Sequence, residues 1–245
     1  MRLLALDTAS ELCSAALWLD GQLLARETVA PRAHAALILP MIDTLLAEAE
    51  VTLRALDAIA FGRGPGAFTG VRLAAAIAQG LGFAAERPLI AISDLRATAA
   101  QALQQVADAQ AALVCQDARM EEVYWGCFER GPSVDAPRVG SIGAEGVAPP
   151  AAVELPAQWQ SGHRIVAAGS GFAVYPELSQ RLHARVTVTL PQLQPRAREI
   201  AWLAAQDGMG AAMSAEQALP VYVRDRVTAP VGAPGPAGGA GSSSS

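Results

Sequence analysis

The residues of this chain best suited to chemistry lie in a glycine-rich block, Gly64-Pro65-Gly66-Ala67-Phe68-Thr69-Gly70-Val71-Arg72. The block separates a strand-like apolar run from a helical pattern, so it is predicted to be a strand-to-helix loop. Glycines allow close backbone approach, and the free N–H groups of a helix N-terminus attract anions. Thr69 is expected to cap the helix, and Arg72 to place a positive charge in its first turn.

Two interpretations of this block remain open. One is a structural turn that packs Phe68 into the core. The other is a loop that binds an anion, a nucleotide or a protein partner, with contributions from Gly64, Gly66, Thr69, Gly70 and Arg72.

A second candidate site is Asp7-Thr8-Ala9-Ser10, at the predicted end of the first strand. A carboxylate followed by hydroxyls could hold a hydrated Mg²⁺, so Asp7, Thr8 and Ser10 join the possible anion or nucleotide site. The favoured alternative is a strand-end turn in which Asp7 accepts hydrogen bonds from local N–H groups.

The remaining polar residues give weaker signals. Asp117 and Arg119 follow an apolar strand and are predicted to form an ion pair or an interlobe or partner contact. Gly169-Ser170-Gly171 is expected to be a simple turn rather than a nucleotide-base loop. No histidine or cysteine has metal-ligand spacing and no nucleophile–base motif is recognisable, so neither a catalytic residue nor a metal site is predicted.

Composition limits the classes of function. The 245 residues are 52% hydrophobic, carry a net charge of −5, and include 18 basic residues that are all arginine. Without lysine, Schiff-base chemistry and a lysine-containing phosphate loop are excluded, and an acidic chain is a poor binder of nucleic acid on its own. Scattered cysteines and the lack of a signal or membrane-spanning segment predict a cytoplasmic protein with no membrane contact.

The order of predicted elements indicates the fold class. Three strands at 2–8, 12–19 and 22–29, with a hairpin turn at Asp20-Gly21, precede a helix, strand, helix, strand and helix. This α/β order is that of a ribonuclease-H-like lobe, the half-unit of the sugar kinase, Hsp70 and actin superfamily. ATPases of that superfamily usually carry glycine where Thr8 stands.

The second half is predicted to be a reduced copy of the first, with loops and short strands over 131–162. The predicted boundaries are 1–108 for the first lobe, 109–228 for the smaller second lobe and 229–245 for a disordered Gly/Pro/Ser tail.

Two long helices near the N-terminus offer a surface for association. The second carries small residues, Ala74, Ala78 and Gly82, at spacings that let another helix approach closely. A partner interface is therefore predicted through this stripe and the first helix. Its residues are His34, Leu37, Met41, Leu45, Ala74, Ala78 and Gly82.

Five blocks in the same order resemble the TsaB (YeaZ) family. The glycine block is similar to that family's GPGSFTGxR signature, and Asp117-Ala118-Arg119-Met120-Glu121-Glu122-Val123-Tyr124 to its DARRxEVY block. The opening Leu-Ala-Leu-Asp-Thr-Ala, the Arg32-Ala33-His34 segment and the closing Pro220-Val221-Tyr222-Val223-Arg224 resemble the other three.

The resemblance implies a non-catalytic subunit that supports threonylcarbamoyladenosine modification of tRNA beside the anticodon. It implies pairing through the first two helices with the transferase TsaD, or with a second copy when alone, alongside the small ATPase TsaE. ATP and any metal ion would belong to those partners, the chain having no cofactor of its own, and tRNA would be reached only through the complex. The transferase subunits of this machinery carry two histidines four apart on the first helix, whereas position 38 here is Ile. The alternative function is a free-standing ATPase or phosphotransferase of the superfamily. A third function, a peptidase, is supported only by kinship to proteins once labelled glycoproteases.

Overall fold

The computed structural model describes residues 1–131, 138–159 and 162–223. Its strands are β1 (Arg2–Asp7), β2 (Leu12–Leu19), β3 (Gln22–Val29), β4 (Ala58–Gly62), β5 (Leu89–Ile92), β6 (Ala111–Arg119), β7 (Glu122–Arg130), β8 (Val139–Ala148), β9 (Ile165–Ala168) and β10 (Val186–Leu190). Its helices are α1 (His34–Glu48), α2 (Phe68–Ala85), α3 (Asp94–Gln105), α4 (Gly171–Val174), α5 (Pro176–Leu182) and α6 (Ala197–Asp207). Single 3₁₀ turns lie at Leu53–Ala55, Pro150–Ala152, Met209–Ala211 and Ala215–Gln217.

The first sheet has the strand order β3-β2-β1-β4-β5. Strands β3, β2 and β1 are antiparallel, and β1, β4 and β5 are parallel. The central strands β1 and β4 are apolar almost throughout because helices cover both faces of the sheet. Asp20 and Gly21 both have positive φ, 52° and 102°, and form the predicted two-residue hairpin turn.

The second sheet repeats this arrangement with the order β8-β7-β6-β9-β10. Three strands are again antiparallel and the last two are again parallel. The predicted α/β fold of two ribonuclease-H-like lobes is therefore confirmed. The interpretation of 131–162 as mostly loop is wrong for β8, which runs for 10 residues along β7.

Helices α3 and α6 lie between the two sheets and join their cores. One continuous apolar cluster contains Leu3 and Ala60 of the first sheet, Val114 and Phe128 of the second, and Leu103 of α3. Helix α6 follows the second sheet in sequence but packs on β1 and β2, and its Ala197 N–H donates to Ser14 Oγ at 2.9 Å. A boundary at 108/109 therefore lies between the strands of the two sheets, but the helices between the sheets pack on both of them.

The last described residues return to the first lobe. Met213 exchanges backbone hydrogen bonds with Leu89 at the edge of β5, and Gln79 of α2 donates to the Ala218 carbonyl at 3.0 Å. The Val221 N–H donates to the Arg63 carbonyl at 2.8 Å. Arg224 and the predicted tail at 229–245 lie outside the described residues.

Within the described ranges, one helix is long and apolar enough to cross a bilayer by length and composition alone. It is α2, with a mean hydropathy of 1.3 over 18 residues, and it packs on the first sheet. Buried helices of globular proteins satisfy the same criterion, so this finding is weak support for a membrane span.

Candidate functional site

The glycine-rich loop joins β4 to α2 and lies against the turn between β1 and β2. The Ala67 N–H donates to the Ala9 carbonyl at 2.8 Å, and Thr8 Oγ1 donates to the Gly70 carbonyl at 2.7 Å. A β-carbon on Gly66 would lie 2.6 Å from the Ala9 oxygen, and one on Gly70 would collide with the Thr8 carbonyl. These glycines therefore provide close contact between two loops, as the structural interpretation of the block requires.

The start of α2 differs from the prediction in two respects. The N-cap position is occupied by Ala67, with no side-chain hydrogen bond, so Thr69 does not cap the helix and is exposed. Phe68 is not packed into the core: 43% of its surface is accessible.

Phe68 instead forms an exposed cluster with Arg72 and Tyr222. The Arg72 guanidinium carbon lies 3.8 Å from the centre of the Phe68 ring and 5.5 Å from that of Tyr222. Arg72 Nε also donates to the Tyr222 hydroxyl at 2.6 Å. Two aromatic rings thus stabilise the charge of Arg72 by cation–π contacts. One of them, Tyr222, is 150 residues away in the sequence.

Asp7 lies beneath the glycine loop, and Asp94, a residue that the sequence analysis missed, lies beside it. Both are buried, with exposures of 0% and 1%. Asp7 Oδ1 accepts the Ala9 N–H at 2.5 Å, and Asp94 Oδ2 accepts the Gly64 N–H at 2.6 Å. Burial raises the pKa of Asp7 to about 6; it raises the pKa of Asp94 well above the usual range, with a further contribution from the charge of Asp7.

The first strand end has the hydrogen bond of the predicted turn. Asp7 is buried and accepts the local Ala9 N–H, as the strand-end interpretation expects. Thr8 is buried as well, at 1% exposure, and Ser10 Oγ accepts the Leu12 N–H at 3.2 Å. The signal for Asp94 was present in the sequence as Ser93-Asp94 after a strand, with Ser93 capping α3.

A cleft of about 960 Å³ lies above the glycine loop, between the two lobes. Polar groups from both lobes line it, among them Ser10, His34, Thr69, Asp117, Ser170 and Tyr222. The cleft brings together the predicted loop residues of the first lobe and the predicted Asp117–Arg119 pair of the second.

Asp117 and Arg119 form a local ion pair on the second-lobe side of the cleft. Their side chains meet at 3.0 Å, and Asp117 also accepts the Arg119 N–H at 2.9 Å and the Tyr175 hydroxyl at 3.1 Å. Three successive residues, Arg119, Met120 and Glu121, have φ between 55° and 61°. Left-handed backbone of this kind is uncommon outside glycine and costs on the order of 1 kcal/mol or more per residue.

The predicted partner stripe on α2 faces its own sheet, which corrects that assignment. Ala74 and Ala78 are fully buried, and a β-carbon on Gly82 would clash with Leu89 Cδ2 at 2.7 Å. Leu45 of α1 is buried too, at 1% exposure. The small residues bring α2 close to the first sheet; of the predicted set, His34, Leu37 and Met41 remain partly exposed.

The cysteines give no activated nucleophile. Burial, followed by the charge of Asp7, raises the pKa of the Cys13 thiol to about 11, and burial raises that of Cys127 to about 12. Burial raises the pKa of Cys115 further still. All three thiols are free and stay protonated near neutral pH.

The duplicated strand order, with a cleft between two lobes and helices on their sheets, places the chain in the actin-like superfamily of two-lobed α/β proteins. A sequence profile of the family described as TsaD, tRNA N6-adenosine threonylcarbamoyltransferase, matches residues 27–229. The tRNA threonylcarbamoyladenosine biosynthesis protein TsaB of Escherichia coli is 39% identical over 229 residues, covering 93% of this chain and 96% of that protein.

Two solved structures from Pseudomonas aeruginosa are similar over nearly their whole length. YeaZ superposes with a TM-score of 0.79 at 42% identity, covering 90% of this chain and 99% of that one. A protein described as uncharacterized, with similarity to peptidase YEAZ, superposes with a TM-score of 0.83 at 43% identity, covering 91% and 99%. The chain belongs to the TsaB family.

Proposed function

We propose that this chain is the non-catalytic subunit of a cytoplasmic tRNA threonylcarbamoyladenosine system, and that it activates the transferase TsaD by forming a heterodimer with it. The observation that carries the proposal is the 39% identity to E. coli TsaB over almost the full length of both chains. In this proposal ATP and any metal ion act on TsaD and the small ATPase TsaE, and tRNA is reached through the complex.

The outward face of α2 supports a protein partner. The helix is strongly apolar, yet only 39% of it is buried within the chain, and Phe83 near its C-terminal end is 78% exposed. Ala76 and Gly80 lie on the same exposed face and are small enough for another helix to approach. An apolar face of this kind is typical of an interaction surface.

Helix α1 adds a second exposed apolar surface. Leu39 is 44% exposed, and Ala35 and Ala36 are exposed beside it. The proposed interface therefore keeps His34, Leu37 and Met41, and moves on α2 from the buried stripe to the face that carries Ala76, Gly80 and Phe83. A second copy of the chain would use the same surface in the absence of TsaD.

The sealed position of Asp7 weighs against the ATPase or phosphotransferase alternative. That alternative assigned the metal ion to Asp7, which lies buried under the glycine loop with Asp94 as its neighbour, and the cleft carboxylate Asp117 is paired with Arg119. The buried thiols weigh equally against a cysteine peptidase. The isolated chain is therefore expected to be inert toward ATP.

The direct test is threonylcarbamoyl transfer to tRNA by purified TsaD and TsaE, with and without this chain. We expect transfer only when the chain is added, and no ATP turnover by the chain alone. Equal transfer without it would contradict the accessory role, and ATP turnover abolished by Asp7→Ala would favour the alternative.

The interface is tested by Ala76→Glu, which places a charge on the exposed face of α2. A charge buried against TsaD without a partner should weaken the heterodimer by about 2 kcal/mol or more, roughly 30-fold, and reduce transfer in parallel. The matched control is Ala184→Glu, an exposed alanine on the second lobe. Titration calorimetry measures both; equal affinities for the two variants would remove α2 from the interface.

A further inference from the structure

The two buried carboxyl groups, Asp7 and Asp94, each leave one oxygen without a hydrogen-bond donor. These are Asp7 Oδ2 and Asp94 Oδ1; both are inaccessible to solvent, and no donor within residues 1–131, 138–159 and 162–223 serves them. They face the same point: a β-carbon on Gly62 would lie within 3.0 Å of each of them. Their other oxygens are already used by the backbone N–H groups of Ala9 and Gly64.

The residues around Asp7 and Asp94 supply little positive charge to stabilise two ionised carboxylates. Among the described residues, the Cys13 thiol on β2 and Glu145 on β8 interact electrostatically with the pair; the thiol is neutral, and the charge of Glu145 disfavours ionisation of Asp94. Arg63, which lies between Gly62 and Gly64 in the sequence, pairs with Glu145 at 3.3 Å, and Glu145 also accepts a hydrogen bond from Ser93. Two adjacent carboxylates without a cation between them do not both ionise in a protein interior.

We propose that Asp94 and Asp7 share one proton, with Asp94 as donor and Asp7 as acceptor, and that this buried hydrogen bond locks the glycine-rich loop onto the β1–β2 turn. The proton satisfies the two oxygens that otherwise have no partner. The raised pKa values of both groups agree with one proton on the pair at neutral pH. The inference does not depend on the identity of any partner protein.

The lock connects segments that are far apart in the sequence. Asp7 holds the β1–β2 turn through Ala9, and Asp94, the first residue of α3, holds the glycine loop through Gly64. The Asp94 N–H donates in return to the Gly64 carbonyl at 3.1 Å. Asp94 and Asp7 are therefore positioning residues for the loop that forms the floor of the cleft.

The shared proton makes stability depend on pH in a defined direction. Both carboxyl groups have a higher pKa in the folded chain than in the unfolded chain, so the folded state binds more protons. Their stabilising contribution is complete below the unfolded pKa and is lost as pH rises. Above pH 6 the unfolding equilibrium constant should increase by roughly tenfold per pH unit for as long as Asp94 keeps its proton.

The experiment combines infrared spectroscopy with urea unfolding on the full chain. The wild-type chain at pH 7 should show the carbonyl band of one protonated carboxylic acid. Asp94→Asn should remove that band and remain folded, because its amide can donate to Asp7 and accept from Gly64. Asp94→Asn should also lose the roughly tenfold-per-unit dependence above pH 6.

Two further variants keep the test decisive. Asp43→Asn removes an exposed carboxylate from α1 and should leave both the band and the pH dependence unchanged. Asp7→Asn should remove the band by donating its amide to an ionised Asp94. A wild-type chain without the band at pH 7, or equal pH dependence in wild type and Asp94→Asn, would overturn the proposal.

Discussion

At the scale of single residues, the cluster of Arg72, Phe68 and Tyr222 is the side-chain contact at the end of the described C-terminal segment. Arg72 is held by a hydrogen bond to the Tyr222 hydroxyl and by the faces of two rings. The guanidinium can do both at once because it is planar and keeps its charge. Arg72 was predicted as a site residue, but the role of Tyr222 depends on a contact with no local sequence signal.

A double-mutant cycle measures this contact. Tyr222→Phe keeps the ring and removes the hydroxyl, so it should cost about 0.5–1 kcal/mol of unfolding free energy, since the pair is largely exposed. Combined with Arg72→Ala, the two losses should be less than additive. Urea unfolding gives the four free energies; strictly additive losses would show that the hydrogen bond has no net effect.

Asp94 shows the limit of prediction at this scale. The chain carries 23 acidic residues, and the printed sequence separates Asp7 from Asp94 by 87 positions. The short apolar run that ends at Asp7 predicted correctly that this residue ends a buried strand. Which carboxylate would meet it depends on the parallel pairing of β1, β4 and β5, and local sequence patterns do not report that pairing.

At the scale of elements, α2 has two faces of opposite function. One face carries Ala74 and Ala78 against the sheet, and the other presents Ala76, Gly80 and Phe83 to solvent. Both faces contain small apolar residues, so the spacing alone could not show which one is buried. The sequence predicts this helix over about residues 69–86, and it is observed at Phe68–Ala85, because its composition and flanking turn residues are local signals.

Glycine-to-alanine changes on α2 should have opposite effects on stability. At Gly80 a β-carbon meets nothing within 4 Å, so Gly80→Ala should stabilise the chain by up to about 1 kcal/mol through helix propensity. At Gly70 it would collide with the Thr8 carbonyl, so Gly70→Ala should destabilise the chain by about 1–3 kcal/mol.

Thermal unfolding of both variants in parallel checks these signs. If Gly70→Ala is more stable than the wild type, the β1–β2 turn can move away from the added β-carbon at little cost. Glycine at position 70 would then not be required for close packing of the two loops.

Strand β8 was missed for a physical reason. Its sequence, VGSIGAEGVA, contains three glycines and few β-branched residues, so it has little strand propensity of its own. Pairing with β7, which carries larger apolar side chains, creates the strand. The sequence also predicts one helix over most of 172–184, whereas the structure has two, α4 and α5, although Pro176 is a local signal for a new helix start.

At the scale of the whole molecule, α3 and α6 make the two lobes one folding unit. The α6 face that contacts β1 and β2 is buried, and α3 contacts β6 and β9 of the other sheet. Arg96 of α3 adds a bidentate ion pair to Asp207 of α6, at 2.6 and 2.8 Å. The predicted boundary at 108/109 falls between β5 and β6, and local sequence patterns could not reveal this exchange of helices.

The fragment 1–108 should therefore not fold by itself. Without α6, the buried face of the first sheet that includes Leu3, Ala16 and Ala60 would be exposed to water. The control 1–223 keeps α6 and should show a single cooperative transition close to that of the full chain. Circular dichroism during urea titration distinguishes them; a cooperative transition of 1–108 alone would establish it as an independent domain.

The repeated strand order has its counterpart in two aspartates. Asp7 near the end of β1 and Asp117 near the end of β6 occupy equivalent places, and each accepts the N–H two residues ahead, from Ala9 and Arg119. The two turns differ in their surroundings: Asp7 is enclosed beneath the glycine loop, whereas Asp117 lines the cleft. The same side-chain-to-backbone turn therefore serves an inaccessible position in one lobe and an accessible position in the other.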